Sequence, residues 1–370
     1  MIELVGIHNK AKVFTNNIES SASQQIIRLL DQEFIKNSKV RIMPDVHAGM
    51  GCPIGTTMTI TNNIVPNLVG VDIGCGMETA IINDKHIELS KLDKAIHKYI
   101  PAGFKVRSEP HQLATEIDLS LLRCAKHVDR VRAYNSIGTL GGGNHFIELG
   151  KDEDGILYLI VHSGSRNLGK QVAEFYQKIA AETHKVKIKE KKLDRTLAHL
   201  EGQSFHDYLH DMAIIQRYAE INRMAIIKEL KKRIGIKTKE QFTTTHNYVD
   251  LESMILRKGA ISAKKDERIL IPMNMKDGCL ICEVKGNPDW NFSAPHGAGR
   301  LMSRTAAKES FTLNQFKKSM EGIYSSTINN STLDEAPFAY KPMEEIIANI
   351  NDTADIVKMV KPIYNFKAAE

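Results

Sequence analysis

Apolar positions recur along this chain with two different periods. In SASQQIIRLLDQEFI (21–35) and LSKLDKAIHKYI (89–100) they fall three and four residues apart, the spacing that lays one stripe of an amphipathic helix on a core. Between 40 and 82 the pattern shortens to the β-rich runs VRIMPDVH, TTMTI, NLVGVDI and ETAII, cut by Gly and Pro, which predicts strands joined by tight loops. Further strands are expected at GTLGGGNHFIEL (138–149), LYLIVHSGSR (157–166), QFTTTHNYVDL (241–251), ILIPMNM (269–275) and CLICEVKG (279–286). From Leu168 to about Ile234 the chain turns rich in Lys, Glu, Ala, Leu and Ile, predicting an inserted or peripheral helical layer. A helical tail is expected from about Gly297. No internal repeat or low-complexity linker marks a boundary, so the pattern predicts one compact α+β domain over residues 1–370, with a β-sheet core and that helical layer (about 168–234).

Composition narrows the class. With 370 residues, 42% of them hydrophobic, the chain can bury a substantial core. Lys and Arg exceed Asp and Glu by 50 to 44, a mild basic excess that tolerates a polyanion without announcing one. Five cysteines are an odd and sparse set for this length, which argues against a disulfide framework and for reduced thiols in the cytoplasm. The start, MIELVGIHNKAKVF, lacks the marks of a signal peptide, and no apolar run is long enough to span a bilayer. No membrane partner is expected, and a monomer is the default.

Polar residues interrupt the apolar runs at four places: GVDIGCG, GGGNHF, IVHSGSR and TTHNYV. A single histidine such as His162 is ordinarily a hydrogen-bonded structural residue, since burying an unpartnered polar group is costly. Four such places in one chain change the balance. Asp72, Cys75, His145, His162 and His246 make a mixed O, S and N donor set suited to a divalent transition metal, and one thiolate can bridge two ions. Spacing alone leaves open the alternative of separate structural sites, because only Asp72 and Cys75 are neighbours in sequence. A fifth stretch, SAPHGAGRLMSR (293–304), sets His296 before Gly297, Ala298 and Gly299, where backbone can approach a ligand closely. A histidine nucleophile for a phosphoryl or nucleotidyl group fits there as well as a capping histidine does.

Other features carry less. GTLGGGNH lacks the closing Lys-Ser or Lys-Thr of a phosphate loop; its glycines suit close approach of a nucleotide beside Asn144 and His145. Arg166 and Arg257 are candidate phosphate contacts, although a surface ion pair is the commoner fate of either taken singly. His206 and His210 stand four apart on a helix without the glutamate of a zinc motif, and a solvated helix face explains them. Cys279 and Cys282 sit three apart on a strand, pointing to opposite faces.

Taken in order, MPDVHAGMGCPIG (43–55), VGVDIGCGM (69–77), GTLGGGNHFIE (138–148), VHSGSR (161–166), HNYV (246–249), RKGAISA (257–263) and HGAGRLMSRTAA (296–307) resemble the RtcB family of GTP-dependent RNA ligases. The resemblance implies joining of RNA 3'-phosphate or 2',3'-cyclic phosphate ends to 5'-hydroxyl ends with GTP and two manganese ions, in RNA repair or tRNA splicing. It implies that Asp72, Cys75 and His145 hold one manganese and Cys75, His162 and His246 the second. His296 would take GMP, with Asn144, Phe146, Glu148, Asn247 and Lys367 around the guanine nucleotide and Asp45 and His47 on the RNA side. The chain departs from the family after Ile271 and Pro272, reading Met273, Asn274 and then Cys279 where a glycine-serine pair and a further serine stand in the nucleotide pocket. It also looks short for the family, as a divergent bacterial paralogue would. Two alternatives share these residues: a metal-dependent phosphodiesterase that opens cyclic phosphates without ligating, and a non-catalytic RNA-binding protein.

Overall fold

Two antiparallel-rich sheets carry the molecule in the computed structural model, which describes residues 1–190 and 193–368; Lys191 and Lys192, inside the predicted helical stretch, lie outside them. A six-stranded sheet runs in the order Ile2–Val5, Lys10–Val13, Val40–His47, Ile54–Thr59, Ile255–Lys258, Asn247–Asp250. A seven-stranded sheet, antiparallel throughout, runs Thr238–Thr245, Gly76–Ile82, Leu157–Ser163, Phe146–Lys151, Ala354–Lys367, Gly278–Val284, Arg268–Asn274. Helices cover the sheets, as the α+β reading expects. Ser20–Leu30 buries Ala22, Ile26, Leu29 and Leu30, and Leu89–Tyr99 buries Leu92, Ala95 and Ile96, so the spacing that predicts each helix also gives its core face.

Three elements depart from the sequence pattern. The 33-residue helix Gly202–Ile234 buries sixteen residues, among them Asp211, Asn222 and Arg223, so the expected outer helical layer reaches into the core beneath the sheet. NLVGVDI forms no strand: a 3-10 turn at Pro66–Leu68 leads into a loop in which Gly70 and Gly74 take φ of 96° and 73°, values that glycine adopts without strain. The expected helical tail is only partly helical, with short helices Arg304–Ser310, Leu313–Ser319 and Met343–Asn349 followed by the 14-residue strand Ala354–Lys367. That strand pairs with Phe146–Lys151 on one side and Gly278–Val284 on the other. Its alternating apolar residues include Val360, Tyr364 and Phe366, all buried.

Candidate active site and metal centre

The first four strands of the larger sheet, from the edge strand Thr238–Thr245 to Phe146–Lys151, bring their polar ends into one row. Met77 lies opposite His162, His162 opposite Phe146, and Gly76 opposite Thr245. Cys75, His145 and His246 are therefore each one residue outside a paired position at the same sheet edge, while His162 stands within it. The loop before Gly76–Ile82 adds Asp72, with Cys75 N–H donating to Asp72 O at 3.2 Å. Gly74 packs on the long helix so closely that a Cβ would meet Gln216 Cα and Ala219 Cβ at 3.0 Å.

The side chains converge as their placement requires. Cys75 Sγ lies 3.5 Å from His145 Nε2 and 3.2 Å from His162 Nε2. His145 Nε2 is 2.9 Å from Asp72 Oδ2, and His162 Nε2 is 3.4 Å from His246 Nε2. Two groups of three thus share Cys75: Asp72, Cys75, His145 and Cys75, His162, His246. His162 Nδ1–H donates to the Asn144 carbonyl at 3.1 Å, which leaves the Nε2 lone pair facing the cluster. Ser165 N–H donates to Asp72 Oδ1 at 3.0 Å and orients the carboxylate.

Electrostatics favour a cation here. Burial holds His162 and His246 well below the usual histidine range, so both present neutral imidazoles at neutral pH. Burial, then the Asp72 carboxylate, pushes the Cys75 thiol well above its ordinary value. Burial also opposes ionisation of Asp72, but its interactions with His145 outweigh that and keep it below the carboxylate range. A partly buried carboxylate, a buried thiol and three buried imidazoles form a donor set that fits divalent metal ions.

His296 stands beside this cluster, its ring 5.0 Å from that of His246. Asp45 is fully buried, and its Oδ2 accepts from His296 Nδ1 at 2.6 Å and from the His296 backbone N–H at 3.1 Å. A carboxylate only accepts, so Nδ1 carries the proton and Nε2 is the free nitrogen. Gly259 and Gly299 permit this packing: a Cβ on Gly259 would come within 3.1 Å of His296 Cε1, and one on Gly299 within 2.3 Å of the Asp45 carbonyl.

A cavity of about 230 Å³ opens from His296 and His162, lined by His47, Asn144, Phe146, Glu148, Asn274, Cys279, Gly297, Ala298, Gly299 and Lys367. Burial raises the Glu148 carboxyl to about 7; Asn365 Nδ2 donates to its Oε2 at 2.9 Å and Cys279 Sγ lies 3.6 Å from its Oε1. Lys367 bridges the Asn144 carbonyl (2.9 Å) and Glu335 (2.6 Å), with its ammonium over the Phe146 ring at 5.1 Å. Asn274 lines the wall, but its side chain bonds Asp277 and the backbone of its own turn. Met273 occupies the same wall.

Other candidates are placed elsewhere. Asn247 lies outside the cavity lining and accepts from Gly259 N–H at 2.9 Å, bracing the loop against His296. Arg257 is fully buried, donating to Ser293 Oγ, Tyr248 OH and the Phe292 carbonyl, each at 2.9 Å. Its guanidinium is thus spent on the fold and is not offered to phosphate, a correction to the sequence reading. Arg166 flanks the cluster, with Nη2 donating to Gly103 O at 2.8 Å. His206 and His210 are exposed on the long helix. Cys279 and Cys282 fall in different apolar clusters on opposite faces of their strand.

Several site residues escape the sequence reading. Arg300, Arg304, Glu335, Tyr340 and Asn365 also line the cavity. The two arginines lie inside the HGAGRLMSR stretch, where their charge beside His296 was the available signal. Asn222 and Arg223 support the centre from the long helix. Asn222 accepts from Gly138 and Thr139 N–H and donates to Ser163 Oγ and Gly164 O. Arg223 donates to Gly74 O at 2.7 Å and Ser163 O at 3.1 Å.

Fold and site together define an α+β protein with a cysteine-centred cluster able to hold metal, set beside a histidine that is hydrogen-bonded to a buried carboxylate. Residues 25–126 and 117–368 match the family model for tRNA-splicing ligase RtcB, and the chain belongs to the RtcB family. It is 30% identical to the RNA-splicing ligase RtcB of Escherichia coli K12 over 94% of both chains, so it is not short against that relative. It is 27% identical to the tRNA-splicing ligases RtcB of Aeropyrum pernix, over 87% of this chain and 86% of the relative, and of Archaeoglobus fulgidus, over 93% and 89%. Among the described residues no helix is long and apolar enough to cross a membrane.

Proposed function

We propose that this protein is a GTP-dependent RNA ligase that joins a 3'-phosphate or 2',3'-cyclic phosphate end to a 5'-hydroxyl end through a His296–GMP intermediate. It would do so in RNA repair or tRNA splicing, as a cytoplasmic monomer. The observation that carries this reading is the 2.6 Å contact between His296 Nδ1 and buried Asp45 beside the metal-ligand cluster. Asp45 holds the proton on Nδ1 and steadies the imidazolium character that develops as Nε2 attacks.

The steps balance around that nitrogen. His296 Nε2 bonds to the α-phosphorus of GTP as the bond to the bridging oxygen breaks, and pyrophosphate leaves. An oxygen of the RNA 3'-phosphate, formed from a cyclic end when water adds to phosphorus and the bond to the 2'-oxygen breaks to leave a 2'-hydroxyl, then takes the GMP and frees Nε2. The 5'-hydroxyl attacks the activated 3'-phosphorus, loses its proton and expels GMP. Asp72, Cys75 and His145 would hold one manganese and Cys75, His162 and His246 the other; bound there, the ions supply positive charge next to the phosphate oxygens. Arg300 and Lys367 add cationic walls to the cavity, and Glu148, Asn144 and Phe146 would seat the guanine nucleotide.

A phosphodiesterase limited to opening cyclic ends would use the same cluster but has no call for the Asp45–His296 pair. Supplying RNA with a 2',3'-cyclic phosphate and a 5'-hydroxyl partner, with manganese and with or without GTP, separates the readings. Joined product that requires GTP supports the ligase. Opened 3'-phosphate ends with no joined product in either condition sink it.

A further inference from the structure

Phe104 is 86% exposed, the most exposed large hydrophobic residue among those described, yet its backbone is held firmly. Gly103 N–H donates to Gly141 O at 2.8 Å, Arg166 Nη2 donates to Gly103 O at 2.8 Å, and Arg132 Nη2 donates to Phe104 O at 2.8 Å. The φ of 64° at Gly103 turns the chain so that the phenyl ring projects outward. Exposure of one apolar ring needs no explanation by itself; what sets Phe104 apart is a turn held by three hydrogen bonds, which fixes the ring where a planar base can stack on it.

Its surroundings identify the occupant. Gly141 lies between the Arg166 guanidinium and the His145 ring, since a Cβ there would meet Arg166 Nη1 at 1.5 Å and His145 Nδ1 at 2.7 Å. The Phe104 turn is thereby tied to the Asp72, Cys75 and His145 end of the cluster, whereas His296 sits beside His246 at the other end. Lys105, next in the chain, and Arg132, which donates to the Phe104 carbonyl, flank the turn, and neither makes an ion pair among the described residues. Cationic side chains around an exposed aromatic are the combination that binds single-stranded nucleic acid, by base stacking and phosphate attraction.

We infer that Phe104 is the stacking platform for the terminal base of the 5'-hydroxyl RNA strand. This rests on the ligase reading, and the direction follows from its chemistry. Displacement of GMP is in line, so the attacking hydroxyl enters from the side opposite the nucleotide. With His296 and the nucleotide cavity at one end of the cluster, the incoming strand is left the Arg166 and Phe104 end.

The test measures two things on wild type, F104A and F104W. One is the Kd of a short single-stranded 5'-hydroxyl RNA; the other is the KM of each strand in ligation. F104A is expected to weaken binding and raise KM for the 5'-hydroxyl strand about tenfold, with F104W restoring both and with GMP transfer to His296 unchanged. Unchanged Kd and KM in F104A overturn the assignment and leave the patch to a protein partner. A rise confined to the 3'-phosphate strand overturns it too. Loss of RNA binding in F104A, in a protein whose wild type never ligates, keeps the stacking site and removes the ligase reading.

Discussion

Gly164 shows how much the centre depends on single atoms. A Cβ there would lie 2.2 Å from Asp72 Oδ1, so Gly164→Ala must displace the carboxylate while leaving every other proposed ligand intact. Metal affinity measured by chelator competition is expected to fall about 10- to 100-fold, the usual cost of disturbing a ligand's support; an unchanged affinity would mean Asp72 binds no ion. At Asp45 the issue is which nitrogen of His296 carries the proton. Asp45→Asn removes the obligate acceptor, and the rate of GMP transfer from GTP should drop by on the order of 10²-fold or more. A variant that transfers GMP at the wild-type rate would show that Nδ1 needs no carboxylate.

The elements aim these residues. Asn222, on the long helix, ties two loops together through four hydrogen bonds, to Gly138, Thr139, Ser163 and Gly164. Asn222→Ala strands buried backbone donors and should cost about 2–4 kcal/mol in chemical denaturation, with metal affinity falling in parallel. The sequence showed the proposed ligands and hid this brace for one physical reason. Asp72, His145, His162 and His246 interrupt apolar runs, where a polar group is costly and stands out, but Asn222 and Arg223 sit in a helix already full of polar residues. Direction was hidden too: Arg257 resembles Arg166 in sequence until the fold points it inward onto Ser293 and Tyr248. NLVGVDI reads as a strand because its apolar residues are β-branched and aliphatic, while the positive φ at Gly70 and Gly74 is invisible in composition. The closing strand is masked by Lys358, Lys361 and Pro362, and is completed only by distant neighbours on both sides.

Across the whole molecule, buried carboxylates and buried histidines act with opposite sign on the pH response of the metal-free protein, since His162 and His246, held below the histidine range, add stability as pH rises. Burial raises Glu78 and Glu148 to about 7, from unfolded values near 4.5. Each therefore binds more protons folded than unfolded between those values, so its contribution to stability is complete below about pH 4.5 and lost as pH rises through about 7. In the presence of chelator, the Tm of Glu78→Gln relative to wild type should rise with pH over that window, the variant being stabilised at pH 8 by at most on the order of 3 kcal/mol. A variant Tm that falls relative to wild type as pH rises would reverse the sign assigned to Glu78. Divalent metal held at the proposed centre should raise Tm in proportion to the logarithm of its concentration above Kd.

The most direct trial of the account is covalent. After incubation with GTP and manganese, peptide mass spectrometry should find one GMP on His296, lost on treatment with acid and absent from His296→Ala. GMP carried by another residue, or by the His296→Ala protein, would contradict the central claim that the Asp45-held imidazole beside the cysteine-centred cluster is the nucleophile.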